Sequence, residues 1–234
     1  MKETDLFPPL KFWLEAQGYR VRGEVRHCDI AAEKNGELIA VELKLRPSLS
    51  LLAQAAERQE YADAVYAALP ATADKPRPPA ARNLYRLLRR LGIGLILVHF
   101  LKNKTRVEIV LHPNTELRSR APRRRPKRRQ AILREISGRE LDLSPGGLPG
   151  GAKRVSAYRQ RCIRLAVWLD RLGEASPAQL RAMGASEDCG TLLSKNVYGW
   201  FERVRRGVYR LHPSGRQALT DVPELTELYR GEIN

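Results

Sequence analysis

The 234-residue chain has only three cysteines, Cys28, Cys162 and Cys189. They are far apart and odd in number, so they make neither a zinc spacing nor a disulfide framework, and they point to a reducing, cytoplasmic setting. The four histidines, His27, His99, His112 and His212, share no ligand spacing. No apolar run approaches the length of a membrane span, and no signal-peptide pattern opens the chain, so no membrane partner is expected. Acidic residues are also scarce, 26 against 42 Lys and Arg, for a net charge of +16. The excess is concentrated in residues 112–155, which carry 12 basic and 4 acidic side chains. A strongly basic chain of this kind usually meets a polyanion, and nucleic acid is the commonest. The remaining composition, 43% hydrophobic, suits one large or two small globular domains.

What is present is organised around residues 23–45. Asn35-Gly36 between alternating apolar runs is a strong hairpin signal, because a type I′ turn needs positive φ at both central residues. Counting outwards pairs Lys34 with Glu37, Glu33 with Leu38, Ala31 with Ala40, and Asp29 with Glu42. Lys44 shares a face with Glu42, while Cys28, Ile30, Ala32, Ile39, Val41 and Leu43 form an apolar face. Directly opposed residues have Cβ atoms roughly 5 Å apart, and like charges there are destabilising. The repulsion is about 3 kcal/mol at an effective dielectric of about 20. A compensating cation is required, and a divalent metal completed by substrate phosphate is one candidate. The other reading of these residues is a solvated strand face with a Lys44 ion pair.

Asp29 followed by Glu42-Leu43-Lys44 resembles the D…ExK signature of PD-(D/E)XK nucleases. The context is an opening helix, a strand, this hairpin, and a long helix carrying Gln54 and Arg58. Residues 1–111 resemble the putative PD-(D/E)XK phosphodiesterase family. Cys28 stands where that signature has its proline. The resemblance implies a restriction-endonuclease-like core of α/β (α+β) class. It also implies a role for Glu24, since the related family has an acid near this place.

In order along the chain, Leu6 to Gly18 reads as a helix, with Pro8 and Pro9 in its first turn and Glu15 as an acid weighed for the site. Tyr19 to Val25 reads as a strand. Ser48 caps a helix expected to run from about Leu49 to Leu69. Gln54, Arg58 and Tyr61 lie on one face of that helix, either to orient a water or hold a phosphate, or as a solvated face. Residues 70–81 read as a loop, Arg82 to Leu91 as a helix, Leu95 to Phe100 as a buried central strand, and Arg106 to Leu111 as an edge strand. This order gives a mixed sheet flanked by helices.

Residues 1–113 are therefore expected as a nuclease-like domain and 114–155 as a basic Pro/Gly-rich linker. Arg118 to Arg129 holds eight basic residues in twelve and reads as an extended, mobile arm. Ala131 to Leu141 reads as a short helix and Ser144 to Gly151 as a flexible joint. Residues 156–234 are expected as a third unit. Three helices followed by the hairpin Val197–Leu211 is the order of a winged helix-turn-helix. The run Gly199-Trp200-Phe201-Glu202-Arg203 with Gly207-Val208-Tyr209-Arg210-Leu211 resembles its wing.

The function expected is Mg²⁺- or Mn²⁺-dependent hydrolysis of DNA phosphodiester bonds. Asp29, Glu42 and the backbone carbonyl of Leu43 would hold the metal. Lys44 would orient the water and stabilise developing charge, and Gln54 would assist. Glu24 and Arg58 would be auxiliary. Arg123, Arg124, Arg125, Lys127, Arg128 and Arg129 in the arm, with Arg203, Arg205 and Arg206 in the wing, would bind the DNA backbone. Dimerisation is common among nucleases that cut both strands, so a homodimer is one arrangement to test. The alternative is a regulator that binds DNA through the winged helix without cleaving it.

Overall fold

The computed structural model describes residues 1–72, 81–114, 125–148 and 154–232. The chain divides into two compact units, Met1–Val155 and Ser156–Asn234.

In the first unit, a 3-10 turn (Glu3–Leu6) leads into α1 (Phe7–Glu15). Strands β1 (Arg20–Val25), β2 (Cys28–Lys34) and β3 (Glu37–Leu43) follow as an antiparallel meander. Then come α2 (Leu49–Arg58), β4 (Ala64–Thr72), α3 (Ala81–Leu91), β5 (Gly94–Phe100) and β6 (Thr105–Leu111). The sheet order is β1-β2-β3-β4-β5-β6. The β3–β4 and β4–β5 pairings are parallel and β5–β6 is antiparallel. The result is the mixed sheet flanked by helices that the element order implied.

One element departs from expectation. The helix expected over Leu49–Leu69 ends at Arg58, and Ala64–Thr72 is a strand. Tyr61 is therefore not on the face that carries Gln54 and Arg58. In an interior parallel strand both faces are buried, so no polar residue marks a period of two. Val65, Ala67 and Leu69 pack on one side of β4, and Ala64 and Ala68 on the other. Their spacing also fits a helix, and only packing decides between the two. Pro70 is tolerated because β3 pairs with β4 only as far as Ala68, leaving that edge of Pro70 without a ladder partner.

The sheet separates two cores. On one face α1 buries Phe7, Leu10 and Leu14 against Val21, Ile30, Ile39, Val41 and Leu43. On the other, Leu51 and Ala55 of α2 and Leu84 and Leu88 of α3 pack over Leu38, Val65, Leu95 and Leu97.

That second core has a further contributor. Helix α4 (Pro126–Gly138) places Ile132 and Ile136 within it, both at most 1% exposed. The arm expected to be extended through Arg129 is thus helical from Pro126, because proline at the first helical position costs no hydrogen bond. The joint expected over Ser144–Gly151 is also packed where described, with Ser144 1% exposed. Gly23 and Gly146 permit this. A Cβ on Gly23 would meet the Ser144 carbonyl, and one on Gly146 would meet the Asp29 carbonyl.

In the second unit, Ser156 caps α5 (Ala157–Leu172), and Gly173 ends it at φ 75°. Strand β7 (Glu174–Ala175) precedes α6 (Pro177–Ala182), which opens with a capping box between Ser176 and Gln179. Helix α7 (Cys189–Lys195) leads to the hairpin β8 (Phe201–Arg205) and β9 (Val208–Leu211). The small sheet has the order β7-β9-β8. Two helices, α8 (Pro213–Thr220) and α9 (Pro223–Gly231), follow.

Candidate functional site

The turn at Asn35-Gly36 has φ values of 51° and 82°, both positive as type I′ requires. The register from Lys34↔Glu37 to Ile30↔Val41 is the one counted from the turn, without a shift. One step further, Asp29 Oδ2 accepts the Leu43 N–H at 2.8 Å. The hairpin thus carries Asp29 and Glu42 to the same end of the sheet.

Glu42 is fully buried. Its Oε1 accepts from Arg58 Nε at 2.6 Å, while Oε2 is buried without a hydrogen-bond partner. Burial pushes the Glu42 carboxyl up to about 7. The Asp29 charge adds to this, and Arg58 and Lys44 oppose it. Burial also raises Asp29, against the pull of the Leu43 N–H and Lys44. Lys44 Nζ pairs with Glu3 Oε2 at 3.1 Å. Gln54, half-buried on α2, has its Oε1 buried and unpartnered.

Glu42 therefore ties stability to pH. Its folded pKa lies above its ordinary value of 4.5, so its contribution is full below about pH 4.5 and is lost as pH rises through about 7. The loss is about 3 kcal/mol. Metal-free protein should show a falling urea midpoint across that window, and Glu42→Gln should flatten the fall. An unchanged pH profile in Glu42→Gln would assign the titration elsewhere.

Glu24 and Arg58 are placed differently from expectation. Glu24 is 3% exposed, and its carboxylate accepts the Leu148 N–H at 2.9 Å and pairs with Arg154 at 2.8 Å. It is spent on residues 148 and 154 and adds no third open carboxylate. Arg58 is 2% exposed with its guanidinium taken by protein groups, so it presents no face to a phosphate. Glu15 pairs with Lys11 at 3.9 Å on the outside of α1. The acid that reaches Lys44 is Glu3, which helical spacing within α1 could not reveal because it lies in the preceding 3-10 turn.

A second turn lies beside Asp29. Glu24, Arg26 and His27 have φ of 50°, 48° and 69°. Such conformations cost non-glycine residues about 1–3 kcal/mol each and cluster at functional sites. Arg139 holds this turn from behind, donating to the Gly23 and Glu24 carbonyls at 2.7 and 3.1 Å. Asp142 accepts the Gly23 N–H at 3.2 Å.

The basic residues divide into two groups. Arg129 is buried, donating to the Tyr61 and Gly36 carbonyls and pairing with Asp63 at 2.7 Å. Arg125 and Arg128 pair with Glu57 at 3.3 and 2.6 Å. These three bind their own protein rather than standing free as an arm. Lys127, Arg203 and Arg206 are exposed. Arg205 pairs with Glu174 at 3.0 Å but is 67% exposed at its side chain. Arg123 and Arg124 lie outside the described residues.

Among the described residues, no group of three or more His, Cys, Asp or Glu side chains is arranged to hold a metal. The pair Asp29 and Glu42 remains, with one orphaned carboxylate oxygen. That donor set suits Mg²⁺, which is usually held by one or two carboxylates and keeps several waters.

A six-stranded mixed sheet flanked by helices, with these carboxylates and a lysine at one end, is a restriction-endonuclease-like core. The chain belongs to the family described as "Putative PD-(D/E)XK phosphodiesterase (DUF2161)", whose model matches residues 96–218. The matched segment begins in β5 and excludes Asp29, Glu42 and Lys44. It includes Arg129, Arg139, Gly146 and Arg154, which support the hairpin. Comparison with curated proteins and with solved structures gave no match.

Proposed function

We propose that the chain is a divalent-metal-dependent nuclease acting on DNA phosphodiester bonds, with its centre at Asp29, Glu42 and Lys44. The observation that carries this reading is the buried, unpartnered Glu42 Oε2 beside Asp29. A buried carboxylate oxygen without a partner is costly unless a ligand satisfies it. Asp29, Glu42 and the Leu43 carbonyl would hold Mg²⁺ or Mn²⁺. When bound, the ion supplies charge neutralisation and a water of lowered pKa.

The protein groups have separate tasks. The Leu43 N–H fixes the Asp29 carboxylate. Lys44 offers an ammonium to the phosphate as negative charge develops, and Glu3 holds that ammonium in place beforehand. Gln54 Oε1 accepts a hydrogen bond from the water it orients. We read Ser156–Asn234 as a winged helix whose β8–β9 hairpin, with Arg203, Arg205 and Arg206, grips phosphates. Lys127 of α4 adds a further contact.

A panel of single-stranded, duplex, flap and junction DNAs tests the reading. Metal-dependent cleavage of at least one is expected, and no cleavage of any by folded protein with Mg²⁺ or Mn²⁺ would sink it. The Arg58–Glu42 pair favours one rival, a DNA-binding regulator in which Arg58 neutralises the site permanently. Binding without cleavage would favour that rival.

The phosphate-binding residues have their own readout. Replacing Lys127, Arg203 and Arg206 together by Ala should weaken DNA binding and lower the salt slope by roughly one unit for each phosphate no longer neutralised. An unchanged slope would remove these residues from the interface.

A further inference from the structure

Arg58 is the point where the candidate site meets the basic helix. Its Nε donates to Glu42 Oε1 at 2.6 Å, Nη1 to Glu57 Oε2 at 3.0 Å, and Nη2 to the His27 carbonyl. Glu57 is itself held by Arg128 of α4 and by Arg125, the residue just before that helix. The guanidinium is thus anchored on three sides, to β3, to the end of α2, and to the turn between β1 and β2. His27 stands two residues before Asp29, at a positive φ of 69°.

We propose that Arg58 is a positioning residue for the metal centre. It holds Glu42 by Oε1 so that only Oε2 faces the ion, and it ties the β3 carboxylate to the turn that leads into β2 and Asp29. The inference rests on the metal-dependent reading above.

The chemistry of the side chain carries the argument. A guanidinium is a planar fork whose donors point in fixed directions. Three acceptors on three elements therefore set its orientation, and through it the place of Glu42. A lysine at position 58 would keep the charge but could not span Glu42, Glu57 and His27 in one plane. Buried Glu42 and partly buried Asp29 repel as like charges, so without this cation Glu42 would turn away. Residues that orient a metal ligand typically change metal affinity by about 10–100-fold.

The test is Mn²⁺ binding to the full chain, by electron paramagnetic resonance and calorimetry, in wild type, Arg58→Lys and Glu57→Gln. Thermal unfolding and DNA binding without divalent ions are measured alongside. Arg58→Lys is expected to stay folded, to bind Mn²⁺ about 10–100-fold more weakly, and to bind DNA as wild type does. Glu57→Gln removes one anchor at a partly exposed position and is expected to weaken Mn²⁺ severalfold. It carries the test should Arg58→Lys fail to fold. Wild-type Mn²⁺ affinity in folded Arg58→Lys, or in Glu57→Gln when the first is unfolded, overturns the proposal. Unchanged Mn²⁺ affinity with weakened DNA binding would make Arg58 a phosphate contact instead. No Mn²⁺ binding by wild type overturns the metal reading itself, and this inference with it.

Discussion

Replacing Asp29 or Lys44 by Ala is expected to lower metal-dependent cleavage by about a thousandfold or more, with DNA binding retained. Removing one preorganised electrostatic contact at a reacting centre typically costs about 10²–10³ in rate. Loss of a metal ligand should cost at least that. The two variants fail for different reasons. Asp29→Ala removes one of two carboxylates and leaves the Leu43 N–H without its acceptor. That orphaned donor costs about 1–3 kcal/mol, so stability should fall as well. Asp29→Asn keeps an acceptor and separates the two effects. Lys44→Ala removes an ammonium whose partner Glu3 is partly solvated, with its side chain 31% exposed. An ion pair of that kind is worth about 1 kcal/mol or less, so the fold should hardly notice. Mn²⁺ should still bind to Lys44→Ala while cleavage is lost. Cleavage by Lys44→Ala within about tenfold of wild type would remove the lysine from the mechanism.

The second large effect concerns the segment between sheet and second unit. A chain cut after residue 113 is expected not to fold, while residues 1–155 should unfold cooperatively in urea. The shorter piece keeps all six strands but loses α4. Ile132 and Ile136 are buried in the core shared by α2 and α3. Removing two such side chains exposes their sockets and costs about 3–6 kcal/mol. A domain has only about 5–15 kcal/mol in total. The cut also removes Arg129 from the Gly36 and Tyr61 carbonyls and Arg139 from the Gly23 and Glu24 carbonyls. Those carbonyls include groups in both hairpin turns, so the site would lose its shape even where the sheet survived. Circular dichroism and a urea transition on both pieces decide this. A cooperative transition in residues 1–113 would return residues 126–148 to the status of a linker.

The hairpin that carries Asp29 and Glu42 was legible from residues 28–43 alone. Asn35-Gly36 dictates its own turn type, and a period of two then fixes which side chains meet as far as Ile30 and Val41, whereas Cys28, expected on the face of Ile30, packs in the other core with Ala31 and Leu38. Local chemistry suffices there because the pairing propagates outward from one turn. The same holds for Ser48, whose hydroxyl accepts the Leu51 N–H. Other features were not legible. Ala64–Thr72 has the composition of a buried segment of either kind, and only a place between β3 and β5 makes it a strand. The turn at Arg26-His27 has positive φ without glycine or asparagine, so nothing in its sequence announces it.

The sequence by itself determined that two carboxylates and a lysine lie at the end of one hairpin in a basic chain. Only the tertiary structure decided how those charges are compensated. Arg58 on α2 reaches Glu42, Arg154 and Leu148 take Glu24, and Glu3 takes Lys44. The basic run that looked free is partly consumed in holding α4 to α2. Each of these partners is remote in sequence from the group it satisfies. A charge pattern states how many cations a segment carries, while burial and long-range packing decide which of them remain free to meet a phosphate.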